Sequence, residues 1–288
     1  MRTDTSTETS TETRTAINPV QGAPRPGPGP APSERPSLIP YLLCELRTTI
    51  LRADTIIFIV VIPLGMYLLF GTMASYSDVD AGRGNVNAVI MINMAAFSAA
   101  MAATTVAGSS AVELARGWGR QMGLTPGGMR AYYLVKSAAG VLLSLVPTTL
   151  LFGAGAIMGA RCDTPLVWIN SFLGCLLPTI PFSLYGLAIG MWFPSQGAVG
   201  TAAASVTVWA FLSNIFMPLS GALLTIARYT PLYGAATLAQ RPIMGDVINT
   251  ATGVVHESPW IQVTNLVAWT LIIAAVCLLS RRRATARR

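Results

Sequence analysis

Six long apolar runs divide the chain after residue 54: Thr55–Met73, Asn87–Val112, Ala131–Ala160, Leu166–Phe193, Ala198–Leu219 and Trp260–Ser280. A helix that crosses a bilayer needs about 20 consecutive apolar residues, so each run predicts one membrane span. Pro63 predicts a kink in the first, with the lost hydrogen bond supplied by a neighbouring helix. The second run is rich in Ala, Ser, Thr and Gly, which suits a helix packed closely on other helices. Pro147 falls inside the long third run, and Pro178 and Pro181 fall in the middle of the fourth. Ser220–Pro259 is different. Leu223–Ile226 and Tyr229–Leu238 are apolar but too short to cross, and Pro231, Gly234 and Pro242 interrupt them. This piece predicts one or two short re-entrant or interfacial helices.

Ahead of the first span, Leu42, Leu43, Leu46, Ile50 and Leu51 recur at helical spacing, with Glu45, Arg47 and Arg52 on the polar side. Residues 37–53 thus predict an amphipathic helix along the membrane interface. Residues 1–36 combine a Thr/Ser/Glu start with a Pro/Gly tract, have little to bury, and predict a disordered tail. No apolar region directly follows the start, so the tail does not read as a secretory signal. The expected fold class is all-α: a polytopic membrane domain over 37–283 with six spans, between that tail and a basic segment at 284–288.

Composition sharpens this picture. Among 288 residues, 52% are hydrophobic and 11% charged. Soluble domains carry roughly 25% charged residues, so much of this surface must meet lipid. The net charge is +7, and of 19 basic residues only Lys136 is a lysine. The arginines stand at the ends of apolar runs and form no patch interleaved with aromatics, which argues against nucleic acid. Arg116, Arg120 and Arg130 follow the second span, with Lys136 just beyond. Arg281, Arg282, Arg283, Arg287 and Arg288 follow the last span, and Arg47 and Arg52 precede the first. With six spans these share one face, and the bias of positive charge makes it cytoplasmic, with both termini inside.

Enzyme chemistry finds no support. There is no phosphate-binding GxxxxGK[ST] loop, no HExxH and no GxSxG. Cys44, Cys162, Cys175 and Cys277 fit no metal or CxxC spacing, and His256 has no partner of its own kind nearby. No catalytic residue, metal or cofactor is therefore expected in this chain. The apolar parts of the spans lack Asp and Glu, which counts against a self-powered carrier with an ionisable group in its path.

The most informative stretch lies between the second and third spans. Glu113, Arg116, Gly117, Gln121, Met122, Thr125 and Pro126 stand in an order and spacing that resembles the corresponding loop of type-2 ABC (ABC-2 type) permeases, the membrane subunits of bacterial ABC exporters. In that family an acidic residue precedes an Arg-Gly pair, a short amphipathic helix follows, and a Thr-Pro or Ser-Pro turn closes the loop. Ala115 and Arg120 depart from it, since acidic residues are common at both places. Glu113 and Arg116 also have the i,i+3 spacing of a local ion pair.

The resemblance implies that Glu113, Arg116, Gly117, Arg120, Gln121, Met122, Thr125 and Pro126 form a coupling element seated on a cytoplasmic ABC ATPase, which itself binds ATP and Mg. It further implies a second permease copy or paralogue, the bacterial plasma membrane as location, and efflux of a lipophilic or amphiphilic substrate such as a drug or antibiotic, a lipid or a glycan-like molecule. Hydroxyl and amide side chains in two spans are candidates for the substrate pathway: Ser98, Thr104 and Thr105 in the second, and Ser205, Thr207, Ser213 and Asn214 in the fifth. A membrane sensor subunit without a transport cycle and a secondary transporter are the competing readings. Dependence on a partner ATPase separates the first from both.

Overall fold

The computed structural model describes residues 38–50, 56–72, 77–124 and 127–286. The expected tail over 1–36, the Thr125–Pro126 turn and residues 287–288 lie outside them, as do the side chains from Ser280 onward. The amphipathic segment expected over 37–53 forms a helix, α1 (Leu38–Ile50). A continuous helical segment, α2, joins Ile57–Val61, Ile62–Tyr67 and Leu68–Thr72. Then come α3 (Val86–Gly108), α4 (Ser110–Ala115), α5 (Trp118–Gly123), α6 (Gly128–Ile157), α7 (Pro165–Cys175), α8 (Thr179–Trp192) and α9 (Gln196–Leu212). Two short helices, α10 (Gly221–Ala227) and α11 (Tyr233–Met244), lead to strands β1 (Val247–Thr250) and β2 (Gly253–His256), and α12 (Pro259–Ala286) closes the described chain.

Four of the six expected spans are long and apolar enough to cross a bilayer: Val86–Ala115, Gly128–Ile157, Pro165–Trp192 and Pro259–Leu279. The first and fifth runs give shorter apolar helices, Ile59–Gly71 and Gly197–Leu212. At 1.5 Å per residue, neither reaches the ~30 Å of a hydrocarbon core. The fifth was expected to run to Leu219 but stops at Leu212. There the Ser213 hydroxyl bonds back to the Trp209 carbonyl at 2.5 Å, and Asn214 takes a left-handed backbone (φ 60°) that ends the helix. The prolines of the fourth run split it into α7 and α8, which continue the same span.

The second run is the hub. α3 packs on α2, α6, α8, α9 and α11, and 89% of the most apolar window of its span is buried, against 17% for α12. Its small residues allow this. A Cβ on Gly186 of α8 would lie 2.3 Å from the Thr104 carbonyl oxygen, and one on Gly190 would lie 2.4 Å from Ser110 Oγ. Two glycines one turn apart therefore let α8 lie against the end of α3 and the start of α4 at backbone distance. The Asn85 side chain caps α3 through the Ala88 amide at 3.0 Å, and also accepts from the Arg161 amide at 2.9 Å.

The kink expected at Pro63 takes a specific form. Pro63 has no N–H to give the Ile59 carbonyl four residues back. The chain widens into a π-turn just before it, with the Ile62 amide on Ile57 O. The freed Ile59 carbonyl accepts instead from Ser98 Oγ of α3 at 2.9 Å.

The chain is mostly helical, as the all-α reading expects, but that reading did not anticipate one short hairpin: β1 and β2 pair antiparallel from Val247↔His256 to Thr250↔Gly253 around a two-residue Ala251-Thr252 turn. Gly253, the first residue of β2, takes a positive φ (128°) just after the turn, which glycine adopts without a Cβ penalty. The β-branched run VINTATGVV carried that signal.

Candidate coupling site

The stretch that follows α3 folds as two single-turn-scale helices with a sharp corner between them. Arg116 ends α4, and Gly117 turns the chain with φ 86°. Its amide bonds to the Leu114 carbonyl at 3.1 Å. A Cβ there would meet nothing within 4 Å, so the left-handed backbone, not space, is the reason for glycine after arginine. Arg116, Gly117, Trp118, Arg120 and Gln121 are exposed, and Met122 is half-buried. Leu124 is 90% exposed. These residues make a cationic and apolar strip on the outside of α5. Thr125 and Pro126, expected to close it, lie outside the described residues.

Glu113 turns the other way. Its carboxylate accepts from the Tyr132 hydroxyl at 2.7 Å and from the Lys136 ammonium of α6. Lys136 is fully buried. Its second partner is Glu45 of α1, at 2.6 Å, and Ser109 Oγ lies at 3.2 Å. An ammonium has three N–H donors, and all three find oxygen here. The Tyr132 ring lies below the same ammonium, 5.8 Å from its centroid. The helix α1, the loop and α6 thus meet at one buried charge. Burial, followed by the charges of Glu45 and Glu113, holds the Tyr41 hydroxyl well above the usual phenol range.

Glu113 was the residue singled out from the sequence, with Arg116 as a local partner. The structure engages it with Lys136 and Tyr132. Lys136 and Glu45 were noted only as a topology signal and as the polar side of a helix. The clue was that an otherwise arginine-only chain places its single lysine inside an apolar run.

The candidate pathway residues do not come together. Ser98 Oγ serves Ile59, and Thr104 Oγ1 donates to the Phe182 carbonyl at 3.3 Å. Thr105 and Thr207 bond back within their own helices, to Met101 and Ala203. Ser205 pairs with the Tyr185 hydroxyl at 2.7 Å, and Ser213 with Thr230 at 2.6 Å. Asn214 borders a cavity of about 170 Å³ with Asn93, Gln240 and Asn249. There Gln240 donates to Asn93, which donates in turn to the Ile215 carbonyl at 3.0 Å. At the same end of the molecule as the hairpin, Glu257 is buried against Arg228 (2.9 Å) and the Tyr233 hydroxyl. Among the described residues no group of three His, Cys, Asp or Glu is placed to hold a metal ion.

Comparison with known proteins finds a relative of similar extent. The chain is 20% identical over 245 residues, 84% of its own length and 95% of the relative's, to the Bacillus subtilis (strain 168) protein named "Putative transport permease YvfS". The chain is thus similar over most of its length to a protein named as a transport permease. Together with four membrane-length apolar helices, this makes it a multi-pass membrane protein, and it bears out the permease resemblance read from the loop. No family model matches the chain. In this site a loop between two long apolar helices is tied to both α1 and α6.

Proposed function

We propose that the chain is the membrane-spanning subunit of an ABC-2 type exporter, driven by a separate cytoplasmic ATPase. The observation that carries this reading is the two-sided loop. Its inner side, Glu113, is joined to Lys136 and Glu45, while Arg116, Arg120 and Gln121 face outward. A load applied to the outer strip reaches α1 and α6 through charge-assisted bonds, which are shorter and stronger than neutral ones. In this reading Thr125 and Pro126 close the coupling element, Gly117 sets its corner, and Met122 packs beneath the contact.

The remaining parts follow from the same proposal. The two shorter apolar helices complete six spans, and α10 and α11 dip into the outer leaflet without crossing. Both termini and the loop are cytoplasmic. Two subunits face each other, and a lipophilic or amphiphilic cargo leaves between them, past the hydroxyls and amides of α3 and α9.

The test is a pull-down and ATPase assay with a candidate ABC ATPase partner, comparing wild type with Arg116→Glu/Arg120→Glu at equal membrane abundance. Wild type binds and stimulates the ATPase, and the double variant does neither. An intact protein that recruits no ATPase in lipid would end the proposal.

A further inference from the structure

A groove of about 350 Å³ opens on the flank of the bundle where α12 and α6 lie on either side of α8. Leu187 of α8 is buried at its floor, and Leu134, Leu184, Ala274 and Leu278 form its walls. Ala274 leaves room that a larger residue would fill. Arg130, in the first turn of α6, stands at one end. It is exposed and has no ion-pair or hydrogen-bond partner among the described residues, whereas Arg161, Arg228 and Arg241 are each paired with a carboxylate. α6 has 30 residues, or about 45 Å at 1.5 Å each. That exceeds a ~30 Å hydrocarbon core, so its first turn reaches headgroup depth. From Arg130 to Ser137, the deepest α6 residue on the groove, is about 10 Å of helix, two thirds of one leaflet.

We infer that this groove binds one anionic phospholipid, with its phosphate on Arg130 and an acyl chain along Leu134, Leu184, Leu187, Ala274 and Leu278. The charge and the apolar walls are matched to the two halves of such a molecule, and the membrane-facing flank is where one is at hand. The guanidinium fork takes a phosphate through two parallel bonds. A zwitterionic lipid fits the same walls but brings its own cation to the phosphate. The inference rests on residence in a membrane and needs neither an ATPase nor a cargo.

The experiment is native mass spectrometry of the full chain, delipidated and then offered equal phosphatidylglycerol and phosphatidylcholine. One basic side chain at a membrane surface discriminates on the order of five-fold, so wild type retains the anionic lipid over the zwitterionic one by about that ratio. Arg130→Gln brings the ratio to about one, while Arg83→Gln, which lies away from the groove, leaves it unchanged. Leu134→Asn, at a residue that is 63% exposed, lowers total retention of both lipids. Equal retention by wild type, a preference that survives Arg130→Gln, or an equal loss in Arg83→Gln each overturns the site. Retention of free glycerol phosphate as strongly as the lipid would reduce it to an anion site and overturn the role of the groove.

Discussion

Replacing Lys136 by Met removes the one cation shared by Glu45 and Glu113 and leaves the two carboxylates facing an apolar side chain. Breaking a buried ion pair by deleting one partner costs about 3–5 kcal/mol. The lower end applies here, because Glu113 is 29% exposed and keeps its bond from Tyr132. At roughly 2–4 °C per kcal/mol for a domain of this size, about 3 kcal/mol lowers the melting temperature by about 6–12 °C. Thermal unfolding of the purified protein in detergent measures it. A triple variant, Lys136→Met with Glu45→Gln and Glu113→Gln, recovers most of the loss, because no uncompensated charge remains. Lys136→Arg does not restore wild-type stability, since a planar guanidinium has no room at a fully buried position. If Lys136→Met melts within 1 °C of wild type, or the triple variant is no better than the single, the ammonium is not the tie described.

Ser98→Ala strands the Ile59 carbonyl and costs about 1–3 kcal/mol; the double variant Pro63→Ala/Ser98→Ala is more stable than Ser98→Ala alone, because alanine in place of Pro63 has a backbone amide to offer the Ile59 carbonyl, and a double-mutant cycle by thermal melting reads the coupling. Gly186→Leu drives α8 off the end of α3 and Gly190→Leu drives it off the start of α4, so both lose monodisperse protein on size exclusion, whereas Gly65→Ala, with nothing within 4 Å, behaves as wild type. Burial, with the neighbouring Asp163 charge, pushes the Cys162 thiol up to about 11. A raised thiol pKa means less thiolate at neutral pH, so in Cys44→Ser protein the maleimide labelling rate of Cys162 rises about tenfold per pH unit from pH 8 and levels off only near 11.

Much of the helix order was legible because lipid imposes a simple rule: apolar runs of sufficient length must be helices. The close packing of α3 was equally legible from its small residues. What escaped was whatever depends on one partner found far along the chain. Ser98 reads as a pathway hydroxyl until Pro63 frees a carbonyl beside it. Lys136 reads as a topology signal until Glu45, 91 residues away, is folded against it. The hairpin escaped for another reason: its β-branched run is short and sits among prolines and glycines that read equally well as broken helix. Helix ends erred where side chains rather than hydropathy decide them, as at Ser213 and Asn214.

The polar groups of α3 also set a schedule. Ser98 finds its acceptor 39 residues earlier in the chain, so it can be satisfied as soon as α2 and α3 lie in the bilayer together; the Asn87 oxygen likewise accepts from Tyr67, 20 residues earlier, while its NH2 waits for the Met158 carbonyl, 71 residues later. Asn93 waits longer, because its partners Ile215 and Gln240 lie 122 and 147 residues later. At about 5–20 residues per second of synthesis, 147 residues take roughly 7–30 s. For that interval the helix that becomes the centre of the bundle must wait with an amide unanswered, in the translocation machinery or at the membrane surface, and every later helix arrives as the partner that lets it settle.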